Sequence, residues 1–345
     1  MHDIIGSKSS LLIFFLFICL SFGCCETFHD SQSITARNSQ KDIADILRTR
    51  NGKADGKLRN DDFNQLNNLI VNSEQLTSIN AIVFCTNLVE LDLSDNDIRD
   101  INPLSKLTNL KKLNLSYNHI QDIDSLEYLI NLEYLDIRFN NISNLNPIKS
   151  LKSLEYLSAS VNEIENIDDI SGIIGLKYLK VSVNKITDID NIGKLNNLEI
   201  LNLSSNLIKN IDALGKCQAI EELYLDCNKI RSINSLEKLT MLRKIGLGGN
   251  EINQLNPLKN MRNLEFITLS NNNIEDITSL KDNMFIKEGC KIRLTGNPLC
   301  EKAIYEDIPV LEARGVKVYY DKPDDYDPGK IKLPDETIKE KSESD

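Results

Sequence analysis

Leu88-Val-Glu-Leu91-Asp-Leu93-Ser-Asp-Asn96-Asp-Ile98-Arg-Asp-Ile101-Asn-Pro-Leu104-Ser-Lys-Leu107 returns 22 residues later as Leu110-Lys-Lys-Leu113-Asn-Leu115-Ser-Tyr-Asn118-His-Ile120-Gln-Asp-Ile123-Asp-Ser-Leu126-Glu-Tyr-Leu129. The apolar positions and the asparagine keep their places while most residues between them change. The same interval runs without a slip through nine copies, marked by Asn96, Asn118, Asn140, Asn162, Asn184, Asn206, Asn228, Asn250 and Asn272. Two residues beyond each lies an isoleucine, from Ile98 to Ile274. Self-similarity at a fixed period of this length marks a stack of equivalent structural units.

The spacing has a physical reading of its own. Leu91-x-Leu93 alternates with period two, so it predicts a short strand with Leu91 and Leu93 inward and Glu90, Asp92 and Ser94 outward. One such unit buries too little apolar surface to offset the ordering of its own backbone. Units must therefore stack, sharing their burial with neighbours and needing capped ends. After each strand the chain turns and leaves backbone groups inside without ladder partners. An asparagine amide supplies both donors and an acceptor there, so the nine-residue Asn column reads as a structural ladder bridging coil to coil.

The pattern L-x-x-L-x-L-x-x-N-x-I-x-x-I-x-x-L-x-x-L, with its 22-residue length and D-I-x-x-L ending, resembles the leucine-rich repeat of the internalin and phosphatase-regulator type. The resemblance covers about residues 63–299. A degenerate first copy keeps the apolar phase but has Glu74 in place of Asn, and a last copy (Ile292, Leu294, Asn297, Leu299) arrives three residues late. The resemblance implies an α/β solenoid, a horseshoe with a parallel sheet on its concave face and short helical, 3-10 or extended turns on its convex face. The expected domains are a signal segment 1–25, a polar tether 26–40, a helical N-terminal cap 41–65, repeats 66–299, a C-terminal cap 300–320 and an acidic disordered tail 321–345. In the first cap Asp42 precedes an amphipathic run (Ile43, Ile46, Leu47), and Asn60 opens a second helical turn. In the second, Cys300–Arg314 reads as helix, Gly315 as its terminator and Val316–Tyr320 as a closing strand.

Composition excludes several function classes. The 345 residues hold 51 acidic against 40 basic side chains, a net charge of −11, which disfavours nucleic acid as a partner. There are three histidines, and only His119 falls within the repeats, leaving little from which to build a His-based triad or a metal site. No catalytic residue, metal or cofactor is implied. Asn51–Asp62 echoes a calcium loop, but Lys53 occupies a ligand position, so a turn is the better reading.

The outward strand positions decide what such a surface touches. One column places Tyr134, Tyr156 and Tyr178 on successive strands; the column before the asparagines places Tyr117, Phe139, Val161 and Val183 beside them, with Arg138 and Lys180 between. Contiguous exposed aromatics rimmed by charge mark interaction sites, against the alternative of cross-strand stacking that only stabilises the sheet. Tyr117, Tyr134, Arg138, Phe139, Tyr156, Tyr178 and Lys180 are the candidate partner-binding residues. The column Lys111, Glu133, Glu155, Lys177, Glu199 reads as a solvated face.

Leu11–Phe22 is an apolar run interrupted only by Ser21, too short to span a bilayer and suited to a secretory signal. Gly23-Cys24-Cys25 after it resembles a bacterial lipoprotein processing site with Cys24 acylated; a plain cleaved signal near Gly23 is the alternative. Eight cysteines suggest a disulfide framework only where geometry allows, and Cys290 with Cys300 is the one candidate pair. The expected function is a non-enzymatic, monomeric, protein-binding solenoid, exported and either secreted or lipid-anchored at the cell membrane or outer surface. The resemblance adds adhesion-like or scaffold roles. The other reading is an intracellular scaffold regulating a phosphatase or another enzyme.

Overall fold

A computed structural model describes residues 41–50, 63 and 65–333. The signal segment, Cys24, the tether, the Asn51–Asp62 loop with its Asn60 turn, and residues 334–345 lie outside the described residues. In chain order the strands are β1 (Lys41–Asp42), β2 (Asn68–Ile70), β3 (Leu76–Ser78), β4 (Glu90–Asp92), β5 (Lys112–Asn114), β6 (Tyr134–Asp136) and β7 (Tyr156–Ser158). They continue as β8 (Tyr178–Lys180), β9 (Ile200–Asn202), β10 (Glu222–Tyr224), β11 (Lys244–Gly246), β12 (Phe266–Thr268), β13 (Lys291–Arg293) and β14 (Lys317–Tyr319). The helices are α1 (Ile43–Arg50), α2 (Thr278–Asp282) and α3 (Ile308–Ala313).

Every repeat strand pairs in parallel with the next at an offset of one repeat, Leu91 beside Leu113 and Leu113 beside Leu135. The result is an open parallel sheet of 12 strands running from β2 through β4 to β14. Opposite the sheet, most coils contribute one short 3-10 turn, such as Asn102–Lys106 or Asp124–Tyr128. The seven apolar columns fill the space between: Leu88, Leu91, Leu93, Ile98, Ile101, Leu104 and Leu107 of one coil are all buried. This is the leucine-rich α/β solenoid that the repeat implied.

The asparagine amides sit between coils. Asn118 Nδ2 donates to the carbonyls of Leu93 in the coil before (2.9 Å) and of Leu115 in its own (3.1 Å). Its Oδ1 accepts from the Ile98 amide at 3.0 Å. Asn297 repeats the geometry after the irregular coil. Among the described residues, no buried side-chain nitrogen or oxygen lacks a partner.

Two further polar columns complete the turns. Asn109, Asn131, Asn197 and Asn263 each donate to a carbonyl of the preceding coil at 2.8–3.0 Å, forming an exposed second ladder. Asp100, Asp122, Asn144 and Asp188 each accept from the amide two residues on, at the entry to a 3-10 turn. Short side chains that bond locally to the backbone suit such entries.

The ends differ from the coils. At the first, the Asp42 carboxylate accepts from the Ala44 amide (2.8 Å) and starts α1, whose Ile43, Ile46 and Leu47 close the core with Phe63. At the other, Ile267 pairs with Ile292, three residues out of the usual register. Asn283, fully buried, absorbs the insertion by donating to Leu258 and Met261 carbonyls at 2.7 and 2.8 Å. The terminal helix is not continuous α: Ala303–Asp307 forms a π turn before α3. Pro309 explains the irregularity, since it has no N–H to donate and its ring crowds the carbonyl of Tyr305 four residues back. Gly315 follows at φ +82° and β14 closes the sheet.

One expectation is corrected here. Residues 321–333 are not a structureless tail. The Tyr305 carbonyl beneath Pro309 accepts from the Lys332 amide (2.9 Å), Tyr326 stacks on Tyr305 (5.5 Å, 14°), and Lys332 pairs with Glu306 (2.9 Å). Cys290 and Cys300 form no disulfide with each other, and Cys85 and Cys217 are likewise unbridged. Burial pushes the thiols of Cys85, Cys217 and Cys290 up to about 11, so they behave as small apolar side chains.

Candidate functional site

Outward positions of the strands form the exposed sheet face, and their alternation with inward leucines sets which side chains appear there. Tyr134, Tyr156 and Tyr178 fall at the first position of β6, β7 and β8, in direct register with one another. Tyr134 and Tyr156 stack almost parallel, centroids 4.3 Å apart and planes 9° apart; Tyr178 tilts against Tyr156 at 6.1 Å and 39°. The Tyr178 hydroxyl donates to Glu199 at 3.1 Å, which raises its pKa.

A second aromatic row runs parallel to the first. Tyr117 and Phe139 stack at 4.2 Å and 11°. Both cations lie over rings: the Arg138 guanidinium 5.8 Å from the Tyr117 centroid and the Lys180 ammonium 6.0 Å from that of Tyr156. The seven candidate residues are therefore one contiguous band across β5 to β8. Stacking and exposure coexist in it. The first-row rings are half-buried, and Tyr117 keeps 39% of its surface exposed. Paired rings contribute about 0.5–1.5 kcal/mol beyond their area and hold one another in fixed orientation.

Beneath the band lies a charge that sequence reasoning did not single out. Asp136 is buried, accepts from the Arg138 amide at 3.1 Å and lies 3.3 Å from Arg138 Nε. Desolvation pushes its pKa up, and the Arg138 and Lys180 charges offset part of that shift. Burial, and secondarily the Asp136 charge, also raise the pKa of Tyr134. The outward position in an L-x-L strand gave no sign that Asp136 would be buried.

Backbone conformation is the other unanticipated feature. Tyr117, Phe139, Val161 and Val183 belong to a column at φ +54° to +58° that also includes Asp95, Ser205, Cys227 and Asn271. Asp and Asn tolerate the left-handed region, but β-branched valine does so at a cost of order 1–3 kcal/mol. The strained positions Val161 and Val183 border the aromatic band. At Gly249 the column turns to glycine, and Gly246 beside it is held small by the Asp226 carboxylate, which occupies the space a Cβ would need.

The flanking column is a row of ion pairs, Lys111–Glu133 (2.8 Å), Lys177–Glu155 (2.9 Å) and Arg243–Glu265 (2.9 Å). Exposed pairs of this kind contribute little stability. A depression of about 620 Å³ lies at its far end among Arg243, Glu265, Arg262 and Phe285, where Arg243 and Glu265 already pair. Among the described residues no group of three or more His, Cys, Asp or Glu side chains is placed to hold a metal ion, and no helix is long and apolar enough to cross a membrane.

A solenoid of 22-residue coils with a parallel sheet and an amide ladder defines its class: the chain is a leucine-rich-repeat protein. The family profile for leucine-rich repeats in two tandem copies matches residues 86–128, 130–173, 174–216 and 196–238. Among solved structures the fold is similar to an internalin of Listeria monocytogenes encoded by inlF, at 26% identity over 85% of this chain and 94% of that one, with a TM-score of 0.73. It is also similar to internalin C2 of the same organism, at 28% identity over 59% of this chain and 92% of that one, TM-score 0.57. A leucine-rich-repeat protein of Leptospira interrogans shares the fold at 24% identity over 74% of this chain and 73% of that one, TM-score 0.67. No curated protein matches the chain.

Proposed function

We propose that the chain is a non-enzymatic binding protein that holds a protein partner on the concave face of its sheet, with Tyr134, Tyr156, Tyr178, Tyr117 and Phe139 as anchors. The observation that carries this reading is the double aromatic row on β5–β8, flanked by Arg138 and Lys180. Tyrosine offers large area with few rotatable bonds, and rings already stacked lose little further freedom on binding. Similarity in fold to the internalins agrees with a protein-interaction role. The test is Tyr156→Ala against a partner retained by the immobilised chain. Affinity should fall roughly tenfold or more, with an unchanged circular dichroism spectrum. Undiminished binding removes the band from the reading.

The protein acts outside the cytoplasm, held at a membrane through a lipid on Cys24. The apolar run Leu11–Phe22 followed by Gly23-Cys24-Cys25 supports this placement. Metabolic labelling with a palmitate analogue should mark the wild type and not Cys24→Ala. An unlabelled wild type, or label that survives the substitution, rejects the anchor.

A further inference from the structure

We propose that β13 and β14 form a second subsite on the concave face, anchored by Arg293, that takes an acidic, carboxylate-bearing segment of the protein partner. This deepens the reading above and rests on it for the partner being a protein. The guanidinium of Arg293 lies between two rings, 5.5 Å from the Phe266 centroid and 5.9 Å from that of Tyr319. Lys291 stands beside Phe266 on one side and Lys317 on the other, in direct register. Lys291, Arg293 and Lys317 are all exposed.

Charge pairing sets this cluster apart. Elsewhere on the sheet face Lys112 pairs with Glu90 (2.8 Å), Arg138 with Asp136 (3.3 Å) and Lys244 with Glu222 (2.8 Å), while Lys180 stands singly over the Tyr156 ring; only at β13 and β14, of the described strands, do three cations cluster without a carboxylate. Among the described residues no carboxylate forms an ion pair with Lys291, Arg293 or Lys317, in a chain whose acids outnumber its bases 51 to 40. Placing Lys291 and Lys317 side by side at strand spacing, about 4.8 Å, costs stability through like-charge repulsion. Protection of an open sheet edge accounts for a lysine on β14. It does not account for Lys291 and Arg293, because β13 is paired on both sides.

The geometry suits a carboxylate. A guanidinium stacked on rings is held in one plane while its N–H edge stays free, and that fork matches the two oxygens of a carboxylate. The flanking ammonium groups add point charges for neighbouring acids. The subsite lies five strands from Tyr178, about 24 Å at strand spacing, so one partner reaches both only by lying along the sheet.

The probe is a fluorescein-labelled ten-residue glutamate-rich peptide, with its glutamine counterpart as control, titrated into the full chain in low salt and read by anisotropy. The glutamate peptide should bind saturably and the glutamine peptide should not. Arg293→Gln should weaken binding roughly tenfold and Lys291→Gln with Lys317→Gln further, with unchanged melting curves. Tyr156→Ala should leave this affinity unaltered, so a failure of the aromatic band is read separately. Absence of binding, or equal binding by Arg293→Gln, overturns the proposal. So does tighter binding when Asp335, Glu336 and Glu340 are changed to amides, which would assign the subsite to the chain's own tail.

Discussion

Asn184 shows what one residue of the repeat contributes. Its amide nitrogen donates to the carbonyls of Ala159, Val181 and Ser182 at 3.1–3.2 Å, and its oxygen accepts from the Ile164 amide at 3.0 Å. Removing it strands backbone groups of two coils at once. Asn184→Ala should cost about 1–3 kcal/mol in denaturant unfolding; an unchanged midpoint would contradict the ladder. Asp136 gives a pH-dependent counterpart. Its native pKa is raised, so between the usual carboxylate value and that raised value the folded chain binds more protons than the unfolded one, and stability falls as pH rises. The stability of the wild type relative to Asp136→Asn should therefore be greatest in acid and shrink as pH climbs through that window. A difference constant with pH would show that Asp136 is not desolvated.

At the scale of the element, legibility followed repetition. The nine asparagines and seven apolar columns were readable because each position was sampled many times, and period two assigned the outward faces of β4 to β12. The left-handed column before the asparagines was not readable in the same way. Its members, Asp95, Tyr117, Phe139, Val161, Val183, Ser205, Cys227, Gly249 and Asn271, share no chemistry, and only Asp, Gly and Asn hint at positive φ. Single events were the least legible. The π turn before α3 and the docking of Lys332 on the Tyr305 carbonyl depend on Pro309 and on a contact 27 residues along the chain, for which no periodicity exists. For the candidate band, sequence placed the right side chains on one face. Which rings stack, and that Asp136 is buried, depends on side-chain rotamers between coils, which spacing does not encode.

At the scale of the whole molecule, stability is a sum over neighbouring coils with Phe63 and α1 sealing one end and α3, β14 and the 321–333 segment sealing the other. Such a stack presents its outward strand residues as a single long surface, in which the tyrosine band and the Arg293 cluster occupy separate sectors. The central claim is that this sheet face, and not the turns opposite, meets the partner. The most direct measurement is photo-crosslinking with one reactive residue replacing Tyr156 on β7 or Tyr128 in the turn Asp124–Tyr128, which is also exposed. The account predicts partner adducts from position 156 and none from position 128. Adducts from position 128 with none from 156 would contradict it.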